Sequence, residues 1–390
     1  MKTAREPSSL STSRLRKRLK IAVLHRTFCA SAGGAEAYAV AVALDLSQRH
    51  EVHVFAQTMD TSLQTVTYHP VALFFKRPRW LNQLWYALAT WWLTREGFDI
   101  VHSHENTWHG NIQTVHVIPM RCKSLNENLG AKLKFWTSPR LWTYAALEFF
   151  RFRISHKRLW VAVSKPLMQR LQHMRPPLPD GQLFSIAPGI YPRANEDRDT
   201  LQRTGFFADQ TPSSKILLWV GNDAVKKNLQ TVLKALSALD SSYKLLVVGK
   251  AAPLKNWQDQ VVALGLADRV KFLGVVTAMD DVYASADLLL HPTLEDTFGM
   301  VVLEAMSHGL PVVVSSSEFC GIAADLQHGQ NAFILADPKS ATEIEAAVQA
   351  LSQPLVQAKY KVNSIAFANN CLWSDVAAQY EVLYQQALSA

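Results

Sequence analysis

Short apolar runs alternate with longer amphipathic stretches along most of the chain, the pattern of parallel sheets covered by helices. Lys20 to His25 reads as a strand, and the loop Arg26 to Gly34 closes on a glycine pair. Ala35 to Ser47 is Ala-rich and helical, and His50 to Phe55 is a second strand. Phe98 opens a strand that ends in a polar, histidine-rich loop, and Leu159 to Ser164 is another. The second half repeats the rhythm, with strands starting at Ile216, Tyr243, Arg269, Asp287 and Val312. Helices are expected at Asp280 to Ala286, Met300 to Ser307, Ser340 to Leu351 and Trp373 to about Leu388.

One stretch departs from this rhythm. Pro78 can open a helix, in which Trp80, Leu84, Leu88, Trp91 and Arg95 recur at helical spacing with Trp85 and Trp92 alongside. Two readings are open, and one helix can satisfy both: a helix packed on the sheet with some of its tryptophans in the core, or an interfacial helix on an anionic bilayer.

A chain of 390 residues, 48% of them hydrophobic, divides into two domains by default. The polar stretch Pro192 to Pro212 marks the boundary, giving domains at 20–192 and 193–372. Residues 1–19 read as a disordered basic arm without the apolar segment of a signal peptide. No apolar run approaches the length of a membrane span. Four scattered cysteines point to a reducing compartment without structural zinc.

The net charge of +8 is uneven. Residues 1–192 hold 25 basic and 11 acidic side chains, and the remainder hold 15 and 21. An anionic partner is therefore expected for the first half: nucleic acid, a membrane surface or a phosphorylated glycolipid.

The chemistry concentrates in three places. After the strand ending at Leu290 come Glu295, Asp296, the Phe298-Gly299 break and a helix from Met300 whose early turns carry Glu304. Free amides at that entrance suit phosphate or sugar hydroxyls, although acids there also complement a helix dipole. Lys226 and Lys227 follow a glycine-ended strand and suit a diphosphate, each contact contributing roughly 1.5–3 kcal/mol. His102, His104, His109 and His116 cluster without any standard zinc spacing, so no metal is expected.

The stretch Asp296-x7-Glu304 followed by Ala305-Met306 and Gly309-Leu310-Pro311-Val312 resembles the family 4 glycosyltransferases. Asp296 stands where that family usually has Glu, and Glu295 is its rival for the place. Gly33-Gly34-Ala35-Glu36, His104 and Lys226-Lys227 match further motifs in order, with Asn228 replacing a glycine. The resemblance implies an α/β GT-B fold, two Rossmann-like doubly wound domains with a cleft between them, and a C-terminal helix at 373–390 crossing back to the first domain. It implies a metal-independent retaining hexosyltransferase with no cofactor, using a nucleotide-diphosphate sugar, with UDP favoured. Asp296, His104 and Lys227 are the implied catalytic residues. Gly33, Gly34, Lys226, Asn228, Val275, Glu295, Phe298, Gly299, Met300, Val301 and Glu304 are implied at the donor. Trp80, Trp85, Trp92, Arg95 and His109 are the expected contacts to acceptor or membrane.

Within the family the basic, Trp-rich first half looks most like the lipopolysaccharide-core glucosyltransferases. The expected protein is cytoplasmic and peripheral on the inner face of the membrane. It would act on a glycolipid or polysaccharide, with no nucleic acid partner. The alternatives are another GT-B enzyme, an epimerase or hydrolase of nucleotide sugars, and a catalytically silent subunit that binds nucleotide or membrane.

Overall fold

The computed structural model describes residues 17–60, 64–122, 137–153, 155, 157–192, 206–207, 211 and 213–390. The expected basic arm, apart from its last three residues, and most of the expected linker lie outside them. The chain forms two compact units: residues up to Gly189 with Trp373–Ala390, and Ile190–Leu372.

The first unit contains β1 (Lys20–Leu24), β2 (Thr27–Phe28), β3 (Glu51–Ala56), β4 (Thr58–Met59), β5 (Thr67–Pro70), β6 (Ile100–Ser103), β7 (Ile112–Val115), β8 (Leu159–Ala162) and β9 (Leu183–Ser185). Seven of these form a parallel sheet in the order β5-β3-β1-β6-β7-β8-β9, while β2 pairs with β4. Every residue of β6, β7 and β8 is buried, which is why they read as continuous apolar runs rather than alternating ones. Strand order reverses between β1 and β6, so the loops leaving their carboxyl ends flank a crevice suited to ligands.

Helix α1 (Gly34–Ser47) leaves the glycine loop after β1. Gly33 is extended, with φ 168°, so left-handed geometry is not what that pair supplies. A side chain at Gly33 would instead meet Glu36.

Helix α2 (Arg79–Thr94) buries Asn82, Gln83, Tyr86, Thr90 and Thr94 and leaves Leu84, Leu88, Trp91 and Trp92 exposed. The polar side is the inner one because its groups find partners. Tyr86 donates to the Phe55 carbonyl at 2.7 Å and Gln83 to that of Asn106 at 3.1 Å. Trp91 and Trp92 therefore lie outside the core. Trp80 and Trp85 are half-buried, and Trp85 donates to the Ala72 carbonyl at 2.8 Å. Among the described residues no helix is long and apolar enough to cross a membrane.

Helix α3 (Pro139–Arg151) packs beside α2, and α4 (Lys165–Gln172) is capped by Ser164, whose hydroxyl accepts from the Leu167 amide. The second unit adds β10 (Lys215–Val220), α5 (Leu229–Ala238), β11 (Tyr243–Val248), α6 (Leu254–Ala263), β12 (Val270–Gly274) and α7 (Met279–Ser285). It continues through β13 (Leu288–His291), α8 (Met300–Ser307), β14 (Val312–Ser315), β15 (Phe333–Leu335), α9 (Ala341–Leu351) and α10 (Pro354–Ala368). Its parallel sheet runs β12-β11-β10-β13-β14-β15, reversing between β10 and β13.

The last helix, α11 (Trp373–Ser389), belongs to the first unit. Tyr380 Oη lies 2.9 Å from Tyr38 Oη and 2.8 Å from Thr114 Oγ1, and Tyr384 Oη lies 2.8 Å from His102 Nδ1. With Thr114 on its other nitrogen at 2.8 Å, His102 is a satisfied core histidine.

Candidate functional site

In the second unit the lysine loop leaves β10 and the acid loop leaves β13, so both lie at the carboxyl ends of the strands flanking the reversal. The loops are bonded to each other. The Lys226 carbonyl accepts from the Leu294 amide at 2.7 Å and from the Thr293 hydroxyl at 3.2 Å. Gly221 has no room for a side chain: a Cβ there would lie 2.9 Å from Lys227 Cγ and 2.9 Å from the Trp219 ring. The missing side chain lets Lys227 lie over the end of β10.

The two acids have different surroundings. Glu295 sits at the surface, its side chain 40% exposed, and pairs with Lys226 at 2.8 Å. That hydrogen bond is the main reason the Lys226 ammonium pKa is raised. Asp296 is 18% exposed and forms an ion pair with Lys227. Its Oδ2 also meets His291 Nε2 at 3.2 Å, and its Oδ1 accepts from the Phe298 amide at 3.2 Å. Burial opposes the charged form, but the His291 hydrogen bond and the Lys227 ammonium outweigh it and hold the carboxyl well below the usual range. The two rivals differ in their company: Asp296 is gathered with Lys227 and His291, and Glu295 lies at the surface with Lys226.

Gly299 caps α8 in the left-handed region, with φ 104°. A Cβ there would meet Cys320 Sγ at 2.8 Å, so glycine is needed for both conformation and space. The amides of Met300 and Val301 begin the helix beyond it. One and a half turns on, Glu304 accepts from Tyr283 Oη at 2.7 Å. Val275 is exposed beyond the end of β12. The Asn228 side chain is engaged within the second unit. The residue holds φ 56°, donates to the Pro338 carbonyl at 2.7 Å and accepts from Thr231 at 2.7 Å. Asn tolerates the left-handed geometry for which the family motif uses glycine.

His291, Asp296 and Cys320 have ligand atoms within 4.8 Å of one another, a potential metal trio. Its chemistry does not favour a cation, since the Lys227 ammonium already pairs with the carboxylate and burial pushes the Cys320 thiol pKa up.

In the first unit, the loops leaving β1 and β6 are joined by Arg26 and Glu105, whose side chains approach to 3.1 Å. The His104 amide donates to the Leu24 carbonyl at 3.1 Å, and His104 Nδ1 lies 2.9 Å from His116 Nε2. Its other ring nitrogen is buried without a partner among the described residues. Burial first, then neighbouring His102, His116, His25 and Arg151, hold its pKa well below that of a free imidazole, so it is neutral at pH 7. Arg95 stacks 3.8 Å from the Trp92 ring centroid, and it lines a concavity with His109. His291, Cys320, Tyr283 and His25 received no role from sequence. Only His291, the last residue before the motif's loop, carried a signal that could have been used.

Residues 32–193 match a family model described as Glycosyltransferase Family 4, and residues 214–353 match one described as Glycosyl transferases group 1. The lipopolysaccharide glucosyltransferase WaaG of Escherichia coli K12 is 28% identical over 58% of this chain, a stretch that spans only 62% of WaaG. N-acetyl-α-D-glucosaminyl L-malate synthase of Bacillus anthracis is 25% identical over 95% of this chain and 98% of its own length. A WaaG crystal structure superposes with a TM-score of 0.78 at 21% identity, covering 92% of this chain and 98% of the other. Anabaena HepE in complex with UDP-glucose gives 0.71 at 18% identity, covering 96% of this chain and all of the other.

Proposed function

This chain is a GT-B glycosyltransferase resembling family 4, and from that premise we propose that it moves a hexose from a UDP-sugar to a hydroxyl of a lipid-linked or polysaccharide acceptor such as a lipopolysaccharide core. Transfer retains the anomeric configuration and needs no metal ion. The observation that carries the reading is the Lys227–Asp296 pair at the strand reversal of the second sheet.

The barrier to be lowered is charge developing on the departing diphosphate. Lys227 and Lys226 supply positive charge, and the amides behind Gly299 supply preorganised donors in a partly dry site. Asp296, fixed by Lys227, His291 and the Phe298 amide, has one orientation to offer a sugar hydroxyl. Glu304, oriented by Tyr283, suits the ribose hydroxyls. The resemblance assigns His104 to the transferred sugar, and its unpartnered ring nitrogen leaves it a hydrogen bond to give or take. The UDP preference draws on the printed ligand of HepE, and the acceptor draws on WaaG.

The setting is the cytoplasmic face of an anionic membrane. Supporting it are the outward Leu84, Leu88, Trp91 and Trp92 of α2, the exposed Phe149 and Phe150 of α3, and the exposed Arg79 and Arg95 at the two ends of α2. The test is incubation with UDP-glucose and core oligosaccharide while UDP release is followed, then proton NMR of the new linkage. An α-linked product from an α-linked donor supports the reading. An inverted linkage, or sugar freed at the same rate without acceptor, overturns it.

A further inference from the structure

Glu304 is held by a side chain that lies beneath the surface. Tyr283, on α7, is 1% exposed, and its hydroxyl donates to Glu304 Oε2 on α8 at 2.7 Å. Glu304 itself is half-buried, so its carboxylate can meet both the tyrosine and a ligand. Both residues belong to the second unit, the one that carries the lysine and acid loops.

The tyrosine is in turn fixed. Its ring packs on that of His308, with 4.7 Å between centroids. His308 Nδ1 lies 2.9 Å from the Glu304 carbonyl oxygen, and its Nε2 lies 3.2 Å from Asp280 Oδ1. Asp280 stands in the first turn of α7 and His308 caps the end of α8. The imidazole therefore ties the start of one helix to the end of the other, with the Tyr283 ring stacked against it.

This arrangement matters for what Glu304 can recognise. A free glutamate side chain samples many rotamers and loses that freedom when it binds a ligand. A carboxylate already held by one bond loses less on binding. An ionised carboxylate has about four acceptor positions, so the bond from Tyr283 directs the group without exhausting it. Two adjacent ribose hydroxyls are met together only by a carboxylate in one orientation.

We propose, resting on the reading that Glu304 meets the ribose, that Tyr283 is the positioning residue through which this site selects a ribonucleotide over its 2′-deoxy counterpart. Tyr283 acts without touching the nucleotide: its hydroxyl sets the carboxylate that counts the 2′ hydroxyl.

The test is calorimetric titration of the full chain with UDP and 2′-deoxy-UDP, with the ADP and GDP pairs alongside. The proteins are wild type, Tyr283→Phe, Glu304→Ala and the double variant. Tyr283→Phe keeps the ring against His308 and removes only the hydroxyl, and urea denaturation checks that each variant is folded. A hydrogen bond to a charged group predicts that wild type prefers the ribonucleotide by about tenfold or more. That preference should fall below about threefold in each single variant, and the double variant should lose no more than Glu304→Ala does, since the two residues act as one unit. Wild type binding none of the pairs, or binding both members of each pair alike, overturns the ribose reading and this proposal with it. Glu304→Ala selecting like wild type does the same. Selection lost in Glu304→Ala but kept in Tyr283→Phe overturns the positioning role alone. Equal weakening of both nucleotides in Tyr283→Phe, with their ratio unchanged, also overturns it, since that is the mark of a tyrosine that only supports the fold.

Discussion

Lys227 Nζ and Asp296 Oδ2 form a direct ion pair that joins the loop leaving β10 to the loop leaving β13. The pair puts a cation and an anion side by side at the reversal of strand order, the place where an open parallel sheet receives its ligand. Lys226 and Glu295 repeat the pairing one residue earlier, at the surface.

Burial ranks the two lysines. Removing Lys227 takes away charge inside a partly dry site, and Lys227→Ala should lower kcat by about 10²–10³-fold. Lys226→Ala removes an exposed pair of at most about 1 kcal/mol, and should cost less than about tenfold. Steady-state rates at saturating donor compare them.

The acids follow the same logic. Asp296→Asn should reduce kcat at least about 10²-fold, while Glu295→Gln should stay within about fivefold, since exposed pairs contribute little. A larger loss in Glu295→Gln than in Asp296→Asn would reverse the assignment.

Gly299→Ala forces a side chain into left-handed geometry and against Cys320 Sγ, 2.8 Å away. It should destabilise the fold by about 1–3 kcal/mol and raise the donor KM, because the helix entrance must shift. Urea denaturation measures the first effect and initial rates the second.

Glu381 on α11 accepts from Arg49 Nε at 2.5 Å and meets His50 Nε2 at 3.2 Å. Burial opposes its ionisation, but these two partners prevail and its pKa falls to about 2. A depressed carboxyl contributes stability fully above its unfolded pKa, about 4.3, and loses it as pH falls towards the folded value. Allowing for screening at the half-exposed Arg49, Glu381→Gln should cost about 2 kcal/mol at pH 7. The gap between wild type and variant should narrow as pH falls below about 4 and close only as pH falls through the folded value of about 2. Denaturation midpoints measured from pH 7 to pH 2 check the narrowing.

The doubly wound sheets were legible because buried parallel strands are continuous apolar runs, and Lys227, Asp296 and Gly299 were legible because their spacing fixes them on loops beside those strands. What sequence could not rank was Glu295 against Asp296, since adjacent residues differ only in which way the folded loop turns them. Asn228 illustrates a second limit: its side chain is committed to Pro338 and Thr231, a contact across 110 residues that no local pattern records. Helix α2 illustrates a third. Periodicity identified its two faces but not which is inside, and the polar face won because Tyr86 and Gln83 find backbone carbonyls there.

The most direct test of the donor site is a thermal-shift titration of UDP-, GDP- and ADP-sugars against wild type and Lys227→Ala. A ligand at one hundred times its Kd adds about 2.7 kcal/mol to stability. The account predicts stabilisation by UDP-sugars in wild type that is lost in Lys227→Ala. Equal stabilisation of both proteins, or none by any nucleotide sugar, would contradict it.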